Sequence, residues 1–358
     1  MTYNNFSTYN EILEQPDVFK RIISNMERNI TPIAKKFLEE DINTVVLVGC
    51  GTSYYATIPA STLFNLLTDI KSFTLPSSEM VSFNFRSFYN KTAAICLSRS
   101  GETTETVLAN KKAKKLGLLT IGITNNPDST LAKETDYSIY IEAGKEKSII
   151  MTKTFSSLVL VSMLIAIKVA SLQGDPIGNK LLSEIHRISD IASNLLLREN
   201  DKIRKIAEDF TNYDHFVILG SGLNYGIALE GALKIKETNY IATEAFSTLE
   251  FRHGPMAMVD EKLVVIGLIP QSERLQDEIL VLKEISEKGG KVLLITNAKI
   301  KSEINGLVVN FPLIHEYLTP IINIIPVQLL AFYMCVNRGY NPDKPRHITR
   351  VVKLREKN

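Results

Sequence analysis

"VVLVGCGTSYYA" (45–56) returns as "FVILGSGLNYGI" (216–227), 171 residues further along a chain of 358. Each stretch is an apolar run followed by Gly-x-Gly, a polar residue and a tyrosine. The correspondence continues: "AAICLSRSGE" (93–102) stands against "VVIGLIPQSE" (264–273), and "GITNN" (122–126) against "LITNA" (294–298), now at an offset of 172. Three ordered matches at nearly one offset indicate a duplicated domain. Two domains are also the expectation for a chain longer than one hydrophobic core normally supports.

In the first copy, short Val/Ile/Leu runs alternate with longer helical patterns. The pattern predicts strands over 44–49, 93–98, 118–124 and 137–141, and helices near 54–68, 103–116, 128–134 and 152–172. Continuous apolar strands between helices read as a parallel sheet covered on both faces. The fold class expected is α/β: two tandem domains, each a three-layer, flavodoxin-like parallel sheet flanked by helices. The boundaries expected are a helical segment over 1–30, domains over 31–190 and 200–340, and a tail over 341–358.

Composition narrows the function classes. The apolar (45%) and charged (22%) shares are those of an ordinary globular protein, and a net charge of +2 points to neither nucleic acid nor a membrane surface as partner. Cys50, Cys96 and Cys335 have no metal-binding or disulfide spacing, and no metal or cofactor is expected; reduced, buried thiols are the reading for Cys50 and Cys96. The N-terminus lacks the basic-then-apolar pattern of a signal peptide. The apolar stretch 155–172 is interrupted by Lys168 and four serines and reads as a buried helix, so a cytoplasmic protein is expected.

Two turns fall where a parallel sheet places its ligands, beyond the carboxyl ends of the strands. "GCGTSYY" puts Tyr54 where a dinucleotide fingerprint needs its third glycine, and neither copy closes with GK[ST], so nucleotide binding is disfavoured. "SRSGETT" (98–104) crowds Ser98, Ser100, Thr103 and Thr104 around Gly101, beside Thr52 and Ser53 of the neighbouring turn. A cap formed by Ser100 or Thr103 needs one hydroxyl; this many favour a phosphate monoester held by hydroxyls and helix-start amides.

The second copy carries the titratable groups, in "ALEGALKIKETNYIATEAFSTLEFRHGPMAM" (228–258). Residues 225–240 read as a helix with Ala228, Ala232, Ile235 and Tyr240 as its apolar stripe. Lys234 and Glu237 share a face three residues apart, which on its own is the pattern of an exposed ion pair. His253, fixed by Gly254 and Pro255, adds a second group able to move protons near neutral pH.

With these segments in view, the chain resembles the isomerase half of the glucosamine-6-phosphate synthases, a tandem pair of sugar isomerase (SIS) domains. The motifs that carry the resemblance are "EILEQP", "GCGTS", "SRSGET", "MTKTF", "ALEGALKIKE", "EFRHGP", "PVQLLAF" and "PRHITR", in order along almost the whole chain. It implies a sugar phosphate held by Ser98, Ser100 and Thr103, with Thr52 and Ser53 reaching the sugar and Arg99, Ile149 and Thr349 also at the substrate. It further implies Glu237 as the base between C1 and C2, Lys234 as its neighbour, and His253 as the ring opener. In the family that histidine comes from the partner subunit, so a homodimer is implied. The glutaminase domain and its N-terminal catalytic cysteine are absent from the resemblance.

Three positions depart from the family pattern: Arg99 stands for a glutamine, Met151 for a serine, and Arg350 for the lysine that forms an imine with the keto sugar. Arginine stays protonated and is no imine-forming nucleophile, and the next lysine is Lys353. Arg99 either adds a phosphate contact or pairs with Glu102 or Glu105. Without the lysine the reading that leads is deamination of glucosamine 6-phosphate to fructose 6-phosphate and ammonia, with Arg350 as a fixed cation. The alternatives are a fructosamine-6-phosphate deglycase, ammonia-dependent amino-sugar synthesis, a hexose-phosphate isomerase, or a non-catalytic sugar-phosphate sensor.

Overall fold

A computed structural model describes residues 3–86, 91–300 and 305–351. The chain forms two compact units. One gathers Asp17–Glu146, Lys153–His186 and the tail from Ile348 around the first sheet; the other gathers the chain up to Pro16, Lys147–Thr152 and Arg187–His347 around the second.

The first sheet contains β1 (Thr44–Gly49), β2 (Lys71–Pro76), β3 (Thr92–Ser98), β4 (Leu119–Thr124) and β5 (Tyr137–Tyr140), all parallel, in the order β2-β1-β3-β4-β5. β1 and β3 are buried at every residue, which is why they read as continuous apolar runs. Strand residues alternate between the two faces. Val46, Val48, Ala94 and Cys96 pack on Met80, Ala109, Ala113 and Leu131 on one face. On the other side the buried helix Lys153–Leu172 packs against the helix Thr57–Leu67. Burial pushes the Cys96 thiol up to about 12, whereas Cys50 is only half-buried.

The second sheet contains β6 (His215–Leu219), β7 (Thr243–Phe246), β8 (Leu263–Leu268), β9 (Lys291–Thr296) and β10 (Leu307–Asn310), ordered β7-β6-β8-β9-β10 and again all parallel. Val217, Leu219, Leu263, Val265, Val292 and Leu294 face Ile279, Leu282 and Ile285 of the helix Leu275–Glu287. The helices Leu223–Asn239 and Ile188–Phe210 both pack against the helix Thr319–Asn337. Read in chain order, both sheets are 2-1-3-4-5, the flavodoxin-like order, so the duplication in sequence is a duplication in topology. Two helices, Lys153–Leu172 and Glu316–Asn337, are long and apolar enough to cross a membrane by length and composition, and both lie mostly or wholly buried within the fold.

Two local features differ from expectation. The helix read over 54–68 is two helices, Thr52–Tyr55 and Thr57–Leu67. Pro59 has no N–H to offer the Tyr55 carbonyl, and the Thr57 hydroxyl instead donates to the Tyr54 carbonyl at 2.6 Å. β2 was not anticipated; it is an edge strand whose Lys71 and Phe73 are exposed, so it lacks a continuous apolar run.

Candidate active site

In both copies the sheet order reverses between the first and third strands, and the crevice beyond their carboxyl ends is where such folds bind ligands. The turn after the first strand is built alike in the two. Gly51 (φ 50°, ψ −122°) and Gly222 (φ 57°, ψ −123°) occupy a backbone region closed to side chains and launch the following helices. Thr52 and Ser53, directly after Gly51, are buried.

The serine loop follows β3. The Ser98 hydroxyl accepts the Gly101 amide at 3.1 Å and lies 3.3 Å from the Thr103 hydroxyl. The Ser100 hydroxyl accepts the Glu102 amide at 3.1 Å. Gly101 has φ 65°, and a Cβ there would sit 2.0 Å from Ser129 Oγ, so only glycine fits. From β4, "TNN" braces the loop: the Asn125 amide and Thr124 hydroxyl donate to the Arg99 carbonyl at 3.1 and 3.2 Å, and Asn126 donates to the Ser100 carbonyl at 3.4 Å.

Thr103 occupies the cap position of the helix Thr104–Lys115, yet its side chain makes no capping hydrogen bond. The start of that helix, at the positive end of its dipole, thus lies beside hydroxyls held by the loop itself and is not capped by the Thr103 side chain. Glu102 is turned away: its carboxylate accepts the amide and hydroxyl of Thr130 at 2.8 and 3.0 Å. Arg99 does not pair with Glu102 or Glu105 as considered above. Its partner is the buried Glu146, 3.0 Å away, 47 residues along the chain and outside any local spacing rule. Thr349 and Arg350 are exposed; the Thr349 hydroxyl donates to the Val351 carbonyl at 3.2 Å. Lys353 lies outside the described residues.

In the second copy, the pair Lys234–Glu237 is no surface ion pair. Lys234 is buried between two carboxylates, Glu230 at 3.1 Å and Glu237 at 2.5 Å, on successive turns of the helix Leu223–Asn239. Burial alone pulls the ammonium down, but Glu230 and Glu237 together outweigh it and raise its pKa above the usual lysine value. Glu230 is sealed, whereas 18% of the Glu237 side chain stays open to solvent. Glu230 was missed by sequence reading, although its i,i+4 spacing to Lys234 was visible.

His253 is exposed, at the end of a short 3₁₀ turn, Leu249–Arg252. That turn is anchored by Phe251, fully buried, and by a two-pronged Arg252–Glu284 pair at 2.8 and 2.9 Å. Ile149 is half-buried in Lys147–Thr152, a segment tied to the N-terminal helix. Glu11 accepts both the Lys147 and Ser148 amides and the Ser148 hydroxyl, and Gln15 donates to Gln328, which donates to the Thr152 carbonyl. The "EILEQP" motif thus holds the loop bearing Ile149.

The chain matches the SIS domain over residues 40–168 and 209–338, one match on each sheet. It belongs to the SIS domain family. The SIS chain is 31% identical over 343 residues to the isomerizing glutamine–fructose-6-phosphate aminotransferase of Pyrococcus horikoshii, covering 96% of this chain and 56% of that protein. It therefore spans little more than half the length of that relative. Among solved structures, the C-terminal domain of glucosamine-fructose-6-phosphate aminotransferase from Francisella tularensis superposes with a TM-score of 0.89 at 27% identity, covering 95% of this chain and 98% of that one. Glucosamine-6-phosphate deaminase from Thermotoga maritima superposes with a TM-score of 0.78 at 30% identity, over 97% and 100% of the two chains. All three of these relatives are enzymes or parts of enzymes.

Proposed function

We propose that this SIS chain is an enzyme that deaminates glucosamine 6-phosphate, releasing fructose 6-phosphate and ammonia. The observation that carries the reading is the buried Glu230–Lys234–Glu237 group, in which Glu237 alone keeps solvent access. A carboxylate backed by a buried, charged lysine and open on one side is suited to lift and return a substrate proton.

The serine loop holds the phosphate through Ser98, Ser100, Thr103 and the first amides of the helix behind them, with Thr52, Ser53, Ile149 and Thr349 lining the sugar. His253 takes up and returns the proton that opens the ring. Glu237 removes the proton from C2 of the open aldehyde, and the electron pair shifts through the enolamine. A proton returned to C1 leaves a C2 imine. Water adds to that imine carbon and ammonia departs, so glucosamine 6-phosphate plus water balances fructose 6-phosphate plus ammonia. Arg350, a cation that cannot act as an amine nucleophile, steadies the sugar oxygens. His253, exposed on its anchored turn, serves the partner subunit of a cytoplasmic homodimer.

Incubating the chain with glucosamine 6-phosphate and assaying both products tests the reading. Glu237→Gln is expected to lower turnover by about 10²–10⁴-fold while phosphate-ligand binding persists. Mixing Glu237→Gln with His253→Ala chains then restores part of the activity. Fructose 6-phosphate converted to an aldose with no ammonia formed from the amino sugar would instead identify a hexose-phosphate isomerase.

A further inference from the structure

Arg99 is almost sealed from solvent, and its two terminal nitrogens have separate acceptors. Nη1 donates to the fully buried Glu146 at 3.0 Å; Nη2 donates to the backbone carbonyl of Arg350 at 3.0 Å. Glu146 is itself fixed, accepting the Thr154 amide at 3.2 Å and the Thr154 hydroxyl at the start of the helix Lys153–Leu172. A guanidinium against a buried carboxylate presents no net charge to a phosphate. Its rigid fork reaches a carboxylate and a carbonyl at once, which the single amide nitrogen of a glutamine cannot do with the same span.

We propose that Arg99 is a positioning residue and not a phosphate ligand: anchored on Glu146, it latches the C-terminal segment to the serine loop through the Arg350 carbonyl. The phosphate is then left to the loop's hydroxyls and amides, and the Arg350 side chain is delivered by the latch. This deepens the deaminase reading and rests on it only for the catalytic effect of losing the latch.

Limited trypsin digestion of the full chain, read by mass, reports cleavage after Arg350, whose side chain is exposed. Arg99→Gln keeps a polar side chain beside Glu146 but gives up the Nη2 donor. It is expected to speed cleavage after Arg350 about tenfold or more, because cleavage tracks the population of the open segment. Thr154→Val takes a different partner from Glu146 and leaves the Arg99–Arg350 bond intact. It is expected to lower the melting temperature without speeding that cleavage, which separates the latch from general loosening. Inorganic phosphate affinity, read by calorimetry, is expected to stay within about twofold in Arg99→Gln, since the neutralised guanidinium adds no charge at the anion.

Unchanged cleavage after Arg350 in Arg99→Gln overturns the proposal, as does a loss of phosphate affinity beyond about tenfold. Neither readout needs turnover. A chain inert toward glucosamine 6-phosphate therefore refutes the deaminase reading and leaves the latch to be decided by the protease. In an active chain, Arg99→Gln is expected to lower kcat with KM little changed, since the phosphate ligands remain.

Discussion

At the 171-residue offset, Leu63 of the first copy stands where the second has Lys234, and Leu66 where it has Glu237. In the other direction, Ser98, Ser100 and Thr103 of the first copy correspond to Ile269, Gln271 and Arg274 of the second. The scaffold around these exchanges is shared by the copies. Val46 and Val48 match Val217 and Leu219 on the same sheet face, and Gly51 matches Gly222 in its backbone angles. Asn125 braces the loop after β3, and Asn297 braces the loop after β8 by accepting the Gln271 amide at 2.7 Å. One copy carries the serine loop and the other the buried Glu230–Lys234–Glu237 group. The division of labour is a matter of side chains on a common frame, as fold and function are separable in general.

Exchanging residues between the copies probes that division. The largest effect is expected from Lys234→Leu, which installs the first copy's residue and leaves the sealed Glu230 and the partly open Glu237 without their cation. Stability at pH 7 should fall by about 3–5 kcal/mol, read by urea unfolding. Because the folded pKa of Lys234 is raised, its contribution is fully present below the ordinary lysine value of 10.5 and is lost as pH climbs through the folded one. The variant should lack that alkaline loss; an unchanged alkaline limb would remove Lys234 from its role as the cation of the group.

Gly101→Ser installs the second copy's Ser272. The positive φ and the Ser129 side chain oppose it, at a cost of about 1–3 kcal/mol. Phosphate binding should weaken with it, whereas an unaltered affinity would show that the loop's shape does not matter to the anion.

Glu278→Gln has the smallest effect. Glu278 is a buried carboxyl at the place of Val107 in the first copy; burial pushes its pKa up, by more than the neighbouring Ser221 and Arg274 lower it. A raised folded value means stability gained on acidification, present below the ordinary glutamate value and lost as pH rises through the folded one. The variant should flatten that part of the stability profile while changing stability at pH 7 by no more than about 1 kcal/mol. A profile identical to the parent's would place the titration elsewhere.

Much of the frame was legible in sequence because β1, β3 and β4 of the first copy are almost wholly buried and therefore mostly apolar. Serine, glycine and threonine clustered at a strand end likewise marked a tight, hydroxyl-lined turn into a helix. Three things were not legible. β2 is half-exposed, so its pattern resembles a loop. Burial of Lys234 depends on what covers the helix, and the same spacing occurs on many exposed helices. Glu146 sits in "EAGKEKSII", a stretch with no regular periodicity, and its pairing with Arg99 is made only when the chain folds back. Local spacing offers Arg99 only Glu102 and Glu105, three and six residues away.

The bond from Arg99 to the Arg350 carbonyl joins residues 251 apart in the chain. During synthesis at about 5–20 residues per second, the serine loop therefore waits roughly 10–50 s for its last partner to emerge. The segment Lys147–Thr152 likewise packs in the unit built mostly from Arg187–His347, well after it leaves the ribosome. Neither copy can be completed as its own stretch of chain is made, so a fragment cut between the two repeats would carry a first copy without its latch and a second without the helix that bears Glu11.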